Sequence, residues 1–280
     1  MYRALSVGAI AVQVRFEEAV QLAVAYGFQG ISVSQNEIER LGLEGVQTLL
    51  EQNALIPAVT GLPVNFRKDD ETFERDMGNL PAFAQAMSDL GCTRVATWFM
   101  PWHKTLSYQA RFEQMRVRTA RICEVLAQYD MRFGLEFVGP ETLRRGNPNP
   151  FIYDIDGLLS LIQAVGANNL GFLLDSFHWY TSGGTPEDLD KLSDQLVIAV
   201  HVNDAAAGVP REEQMDQVRA MPGETGEIDI RTFMRALDRM GYSGPVIVEP
   251  FCDWLRALPP EEAVAATARS LDKIWSIAGL

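Results

Sequence analysis

The chain reads RFGLEF at residues 132–137, LGFLLD at 170–175, VIAVHV at 197–202 and PVIVE at 245–249. These four short apolar segments do not alternate strictly between polar and apolar residues, which is typical of parallel strands buried on both faces. Longer stretches with the spacing of amphipathic helices separate them. This alternation of strand and helix indicates parallel pairing through right-handed crossover connections.

The same alternation extends over the rest of the chain. We predict eight strands: Ala4–Val7, Gly30–Val33, Ile56–Thr60, Arg94–Trp98, Arg132–Phe137, Leu170–Leu174, Val197–Val202 and Pro245–Glu249. We predict helices at about Phe16–Tyr26, Leu43–Gln52, Thr72–Leu90, Ser107–Tyr129, Gly157–Val165, Pro186–Leu192, Ile230–Met240 and Pro260–Ile277. Eight such units predict an α/β fold, a closed (β/α)8 or TIM barrel. No linker or low-complexity tract divides the chain, so we expect a single domain over residues 1–280.

Composition excludes several classes of protein. Apolar residues make up 47% of the 280, enough for a full core. A net charge of -13 argues against a general role in binding nucleic acid. No apolar run approaches the roughly 20 residues that a membrane span needs, and the first residues do not resemble a signal peptide. Three scattered cysteines suit a reducing environment, so we expect a cytoplasmic protein.

Four consecutive predicted strands end in a carboxylate or an imidazole: Glu136, Asp175, His201 and Glu249. In a barrel these strand ends share the face where catalytic groups gather. A buried charge needs a compensating cation, and the segments GLEF, LLDS, VHVN and VEPF contain no lysine or arginine. A divalent ion is the natural counter-charge, and this donor set suits Mn²⁺, Zn²⁺, Co²⁺ or Mg²⁺.

The segments GLEFVGP, LLDSFHWY, HVNDA, PGETGEIDI and VIVEPF resemble, in this order and spacing, the xylose isomerase-like family of sugar isomerase and epimerase TIM barrels. The resemblance extends over essentially the whole chain, and LLDSFHWY is most similar to the inosose (keto-inositol) isomerases. It implies that one divalent metal ion is held by Glu136, Asp175, His201 and Glu249. It also implies a homo-oligomer, because barrels of this family are often dimers or tetramers.

The resemblance further implies roles toward substrate. The two glutamates, Glu136 and Glu249, would be acid/base groups on opposite sides of the substrate. His178, in the DSFH segment, would contact the substrate, as would Arg219, which precedes the PGE segment in a loop of variable length.

These residue types also suit the chemistry independently. Isomerising an α-hydroxy ketone requires a base to remove a proton beside the carbonyl and an acid to return it at a neighbouring atom. A divalent ion would stabilise the enediolate that forms. We therefore predict an isomerase or epimerase of a small polyol ketone, such as an inosose, a ketose or a sugar phosphate.

Three alternatives stay open at this point. A lyase of the dehydroshikimate dehydratase kind would need the same ion and base. An endonuclease IV-type DNA-repair enzyme would need many more histidines than the three present. A non-catalytic sugar-binding barrel is the third alternative, because a fold does not determine a function.

Several other residues have two interpretations each. Asp204 either orients the histidine of strand seven or caps a helix. Arg144 and Arg145 either bind a phosphate or carboxylate or form a solvated pair in a loop. Trp98 ends strand four and Phe251 follows strand eight, and they either wall a pocket or pack above the barrel core.

Overall fold

A computed structural model describes residues 1–280 and contains a barrel of eight parallel strands. The strands are Tyr2–Leu5, Gly30–Ile31, Ile56–Pro57 with Thr60–Gly61, Arg94–Phe99, Arg132–Phe137, Leu170–Asp175, Val197–Val202 and Pro245–Val248. Each pairs in parallel with its neighbours in chain order, and the first strand pairs with the eighth. The predicted (β/α)8 barrel is therefore confirmed. That residues 1–280 form a single domain stays a prediction.

The third predicted strand is in two pieces. Ile56–Pro57 pairs with the second strand, and Thr60–Gly61 pairs with the fourth. Pro57 has no amide hydrogen and cannot donate to the ladder, which favours an interruption here. Next to it the Ala58 amide still donates to the Ile31 carbonyl at 2.8 Å. The barrel is closed through both pieces together.

Other predicted strand ends also differ from the structure. The first strand begins and ends two residues earlier than predicted, at Tyr2–Leu5, and the second is shorter, at Gly30–Ile31. The eighth strand ends at Val248, although the amide of Glu249 still donates to the Val202 carbonyl at 3.1 Å. The apolar segments extend beyond the regular strand pairing, because the chain leaves the sheet at the barrel mouth and continues into loops.

Helices cover the outside of the barrel and part of its mouth. They are Phe16–Ala25, Gln35–Leu41, Leu43–Gln52, Asp70–Asp89, Tyr108–Ala127, Glu141–Arg144, Ile155–Val165, Ser176–Thr181, Pro186–Leu189, Ile230–Arg239, Asp253–Arg256 and Pro260–Ala278, with a 3₁₀ turn at Arg211–Glu213. None has the length and hydrophobicity that a bilayer crossing requires. The predicted helices are all present: Leu43–Gln52 has the predicted bounds, and the others differ by up to three residues at their ends. Four short helices were not predicted: Gln35–Leu41, Glu141–Arg144, Ser176–Thr181 and Asp253–Arg256.

Two further features shape the barrel mouth. A two-stranded antiparallel hairpin, Asp204–Ala205 with Arg219–Ala220, follows the seventh strand. A small apolar cluster of buried side chains lies apart from the main core and consists of Ala4, Ala58, Val59, Leu173, Ala199 and Ile247. Three of its members, Val59, Leu173 and Ile247, also line a cavity at the barrel mouth, so this cluster contributes to the apolar floor of that cavity.

Candidate metal centre

Strands five to eight bring four side chains together at their carboxyl ends. The His201 Nδ1 atom lies 3.5 Å from Glu136 Oε1, 3.4 Å from Glu249 Oε2 and 3.9 Å from Asp175 Oδ2. One donor atom from each of the four lies within 4.8 Å of all the others. The parallel register explains this convergence, since Asp175 lies directly beside His201 on the neighbouring strand.

Two atoms of this cluster lack a hydrogen-bond partner. Glu136 Oε1 and His201 Nδ1 are buried, and neither makes a hydrogen bond. A buried polar atom without a partner is costly, so such an atom in a native fold calls for an explanation. A divalent ion bound by the cluster would satisfy both atoms. The three carboxylates and one imidazole therefore fit a borderline or hard dication.

The electrostatics of the cluster agree with this fit. Burial raises the pKa of the Glu136 carboxyl above its ordinary value. Burial alone would lower the pKa of His201, but the nearby Glu249 carboxylate raises it well above the ordinary value. Without an ion, a protonated imidazole thus balances part of the negative charge. An incoming dication would replace that proton, as is usual when imidazole becomes a metal ligand.

Asp175 is held in a single orientation by its neighbours. Its Oδ1 caps the short helix that follows by accepting from the amides of Phe177 at 2.6 Å and His178 at 3.1 Å. The side-chain amide of Asn203 donates to both carboxylate oxygens at 3.1 Å. Asn203 is itself anchored, because its Oδ1 accepts from the Ser176 hydroxyl at 2.7 Å. Asn203 is a positioning residue that the sequence analysis did not single out.

We expect Asn203→Ala to lower the affinity for a divalent ion by about 10–100-fold, as is typical when a partner of a metal-binding side chain is removed. The affinity is measured by titrating ion into chelator-treated protein. Asn169→Ala is the matched control, since Asn169 donates to the Cys123 and Met131 carbonyls at 3.0 Å just before the sixth strand begins. Equal ion affinities in the two variants would contradict a role for Asn203 in holding Asp175.

Arg219 supplies a cation that the strand-end segments do not contain. Its Nη1 donates to Asp175 Oδ2 at 2.9 Å and lies 3.3 Å from Glu249 Oε2. The guanidinium lies 4.6 Å from the ring centres of both Phe177 and Phe251. Burial of Asp175 acts to raise its pKa, but the positive charge of Arg219 outweighs this effect together with the other nearby groups. The pKa of Asp175 is lowered to about 2. The negative charge of the carboxylates is thus partly compensated by Arg219 from the hairpin, in addition to the divalent ion expected as their counter-charge.

Asp204 has neither of the two roles expected for it. It is fully buried, and its carboxylate accepts from the backbone amides of Thr225 at 3.0 Å, Gly226 at 2.8 Å and Ile228 at 3.0 Å. It orients no histidine and caps no helix. It holds the loop that follows the hairpin. No local pattern of residues indicates this role, because the three amides lie more than twenty residues away in the chain.

His178 lies beside the cluster and not within it. Its side chain is 2% exposed, and Nδ1 accepts from the Gly139 amide at 3.3 Å. Nε2 lies 3.8 Å from Asp216 Oδ1 and 3.3 Å from Arg219 Nη2. The structure brings His178 and Arg219 together, and their contact with substrate stays a prediction.

Two cavities adjoin the cluster. The larger, of about 580 Å³, extends from Glu136, His201 and Glu249 toward the ends of the first four strands. The smaller, of about 270 Å³, lies against His178 and Arg219. Glu136, Glu249, Trp98 and Phe251 border both cavities. Trp98 and Phe251 therefore wall the pocket, in agreement with one of their two interpretations.

The basic pair after strand five lies outside both cavities. The Arg144 guanidinium stacks 3.8 Å from the centre of the Tyr153 ring. Arg145 pairs with Glu213 at 2.9 Å and with Glu141 at 3.3 Å. Both cations are engaged by this chain's own side chains, so the interpretation as an anion-binding pair is not supported.

Similarity to known proteins agrees with the fold and with this arrangement. An inosose isomerase of Halalkalibacterium halodurans is 29% identical over 143 residues, which are 51% of this chain and 48% of that enzyme. A 3-dehydroshikimate dehydratase of Pseudomonas aeruginosa is 31% identical over 112 residues, which are 40% of this chain and 18% of that enzyme. The chain thus matches about half the length of the first relative and less of the second.

Solved structures match over nearly their whole length. A xylose isomerase domain protein of Alicyclobacillus acidocaldarius superposes with a TM-score of 0.90 at 29% identity, covering 100% of both chains. The IOLI protein, whose structure contains a zinc atom, superposes with a TM-score of 0.84 at 19% identity, covering 99% of this chain and 98% of that one. The family model described as xylose isomerase-like TIM barrel matches residues 20–274. The chain therefore belongs to the xylose isomerase-like TIM barrel family.

Proposed function

We propose that this protein is a divalent-metal-dependent isomerase or epimerase of a small polyol ketone. The observation that carries the proposal is the cluster of four donor atoms, within 4.8 Å of one another, at the edge of a cavity of about 580 Å³. A cavity of this volume is within the range of small-molecule sites. The similarity to inosose isomerases supports the same class of substrate.

In this proposal Glu136 and Glu249 exchange protons with the substrate. They come from strands five and eight and both border the cavity, so a bound polyol ketone lies between them. Burial raises the pKa of the Glu136 carboxyl, which favours its taking up a proton from the substrate. A bound divalent ion would polarise the carbonyl and offset the charge that develops on its oxygen.

The remaining residues of the pocket have supporting roles. Asp175 and His201 complete the ion site. Trp98 and Phe251 limit the access of water to the reacting carbon. His178 and Arg219 border the adjoining smaller cavity, and in this proposal they contact the part of the substrate that extends past the ion. Zn²⁺ is a candidate because the IOLI protein contains zinc, and Mn²⁺, Co²⁺ and Mg²⁺ suit the same donors.

The test is proton NMR in D₂O with ion-loaded protein and an inosose or a ketose. We expect solvent deuterium to appear at the carbon beside the carbonyl, together with an isomeric product, because the acid group that protonates the carbon exchanges its own proton with D₂O. Absence of both exchange and product with every polyol ketone tried would contradict the proposal and favour a non-catalytic barrel.

A lyase is the second candidate, and the similarity to 3-dehydroshikimate dehydratase favours it over other classes. The same base would remove the proton, and a β-hydroxyl group would then leave as water. The NMR experiment separates the two candidates, since loss of water with no returned proton identifies the lyase. An endonuclease IV-type site has less support, because His103 accepts from the Thr105 and Leu106 amides away from the cluster.

A small carbohydrate or polyol is thus the proposed partner. Binding of nucleic acid is not part of the proposal, since the net charge of -13 disfavours it. The homo-oligomer and the cytoplasmic location stay predictions.

A further inference from the structure

The Trp98 indole lies at the boundary of the two cavities. Trp98 is in the strand Arg94–Phe99 and borders both cavities, and it is 43% exposed although tryptophan is mostly buried in folded proteins. It is paired in register with Glu136 on the neighbouring strand. Side chains paired in register on adjacent parallel strands point to the same face of the sheet. The indole is therefore an open apolar surface on the same side of the barrel wall as the Glu136 carboxylate.

The Arg67 side chain covers part of this ring. Its guanidinium carbon lies 4.2 Å from the centre of the Trp98 ring, and its Nη1 donates a hydrogen bond to the Trp98 carbonyl oxygen. A cation is attracted to the face of an aromatic ring, and tryptophan is the most favourable ring for this contact. Arg67 borders neither cavity. Arg67 thus holds Trp98 by both its ring and its backbone, from outside the cavities.

The loop that contains Arg67 is itself fixed. Arg118, in the helix Tyr108–Ala127, is buried, and its Nη1 donates to the carbonyl oxygens of Phe66 at 2.8 Å and Lys68 at 2.6 Å. The residues on both sides of Arg67 are therefore anchored to the outer layer of helices. Burial lowers the pKa of the Arg67 guanidinium, and no carboxylate opposes this effect. This half-buried cation has aromatic and carbonyl contacts in place of an ion-pair partner.

We propose that Arg67 is a positioning residue, which fixes the Trp98 indole as a stacking platform, a flat surface on which the apolar face of a cyclic polyol packs. A cyclic polyol carries C–H groups on its faces and hydroxyl groups at its edge. With a C–H face on the indole, its oxygens stay free to reach the metal cluster. The proposal rests on the proposed function for the class of ligand. It assigns a role to a residue that belongs neither to the cluster nor to the cavity walls.

The test is a double-mutant cycle on the binding of the neutral cyclic polyol myo-inositol to ion-loaded protein. Calorimetry measures Kd for wild-type protein, Arg67→Met, Trp98→Leu and the double variant. Methionine keeps an apolar stem without the cation, and leucine keeps an apolar side chain without the flat ring. Arg121→Met is the matched control, because the Arg121 guanidinium lies 5.0 Å from the centre of the Phe73 ring and neither residue borders the two cavities.

We expect Trp98→Leu and Arg67→Met each to raise Kd about two- to tenfold, the range typical of one aromatic or cation–aromatic contact. Because Arg67 acts through the indole, Arg67→Met should change Kd little in protein that already contains Trp98→Leu, so the two effects should not add. Arg121→Met should leave Kd unchanged. Addition of myo-inositol should also shift the tryptophan fluorescence of the wild-type protein and not that of the Trp98→Leu variant.

Thermal unfolding verifies that each variant keeps its fold. If Arg67→Met does not fold, Arg67→Lys takes its place in the cycle, since lysine keeps the charge and lacks the planar guanidinium. Absence of myo-inositol binding by the wild-type protein, or an unchanged Kd in either single variant, would overturn the proposal. Equal effects of the Arg67 substitution with and without the indole would overturn it too, because Arg67 would then stabilise the loop and not the ring.

This binding experiment is independent of turnover. Binding that depends on Trp98 and Arg67, with no conversion of any polyol ketone, would support the stacking platform and refute the proposed function. Conversion of a polyol ketone with a wild-type KM in both single variants would support the function and refute the platform. In an active enzyme we expect Arg67→Met to raise KM more than it lowers kcat, since Arg67 contributes no donor atom to the metal cluster.

Discussion

Glutamine in place of Glu136 or Glu249 should lower kcat by roughly 10²–10⁴-fold, the usual contribution of a positioned acid or base. Glutamine keeps the shape of the side chain but neither accepts nor delivers the proton. The measurement is kcat for each variant on the polyol ketone that the wild-type protein converts, with circular dichroism to verify folding. Near-normal activity in either variant would remove that residue from the mechanism.

Two controls make this result interpretable. Glu224→Gln alters an exposed glutamate whose carboxylate accepts from the Met221 amide at 2.8 Å, outside the cluster, and it should retain activity. The metal content of each variant is measured as well. A variant that keeps the ion but loses turnover and deuterium exchange identifies proton transfer as the missing function. A variant that loses the ion shows that the carboxylate acts mainly as a ligand.

Removing the divalent ion should abolish turnover and lower the melting temperature. A ligand that binds only the native state stabilises it, by about 2.7 kcal/mol when its concentration is a hundred times Kd. Chelator-treated protein should therefore gain thermal stability when Mn²⁺ or Zn²⁺ is added, and activity should return with it. The measurement is differential scanning calorimetry with and without ion. The same titration ranks the candidate ions.

His201→Ala should eliminate this response, because it deletes the single nitrogen donor of the cluster. His103→Ala is the matched control, since His103 lies away from the cluster and its ring nitrogen serves a local turn. A wild-type protein that contains no divalent ion and shows no thermal gain from any of the four ions would refute the metal site. The non-catalytic barrel would then be the better interpretation.

The architecture and the four clustered side chains were predictable from local patterns. Apolar runs that alternate with helical periodicity predict parallel strands, and parallel strands place all their carboxyl ends on one rim. A polar residue at the end of such an apolar segment is therefore expected on that rim. For this reason the sequence alone predicts that Glu136, Asp175, His201 and Glu249 lie close together, as the structure shows.

The conformation of the loops around the rim is evident only from the three-dimensional structure. Arg219 reaches Asp175 across 44 positions of the chain, and Asp204 holds amides more than twenty residues away. Loop conformation depends on contacts between distant segments and not on the period of a strand or helix, so no local pattern encodes it. The rim that would bind an ion followed from the pattern of residues, whereas the counter-charge of its carboxylates required the folded chain.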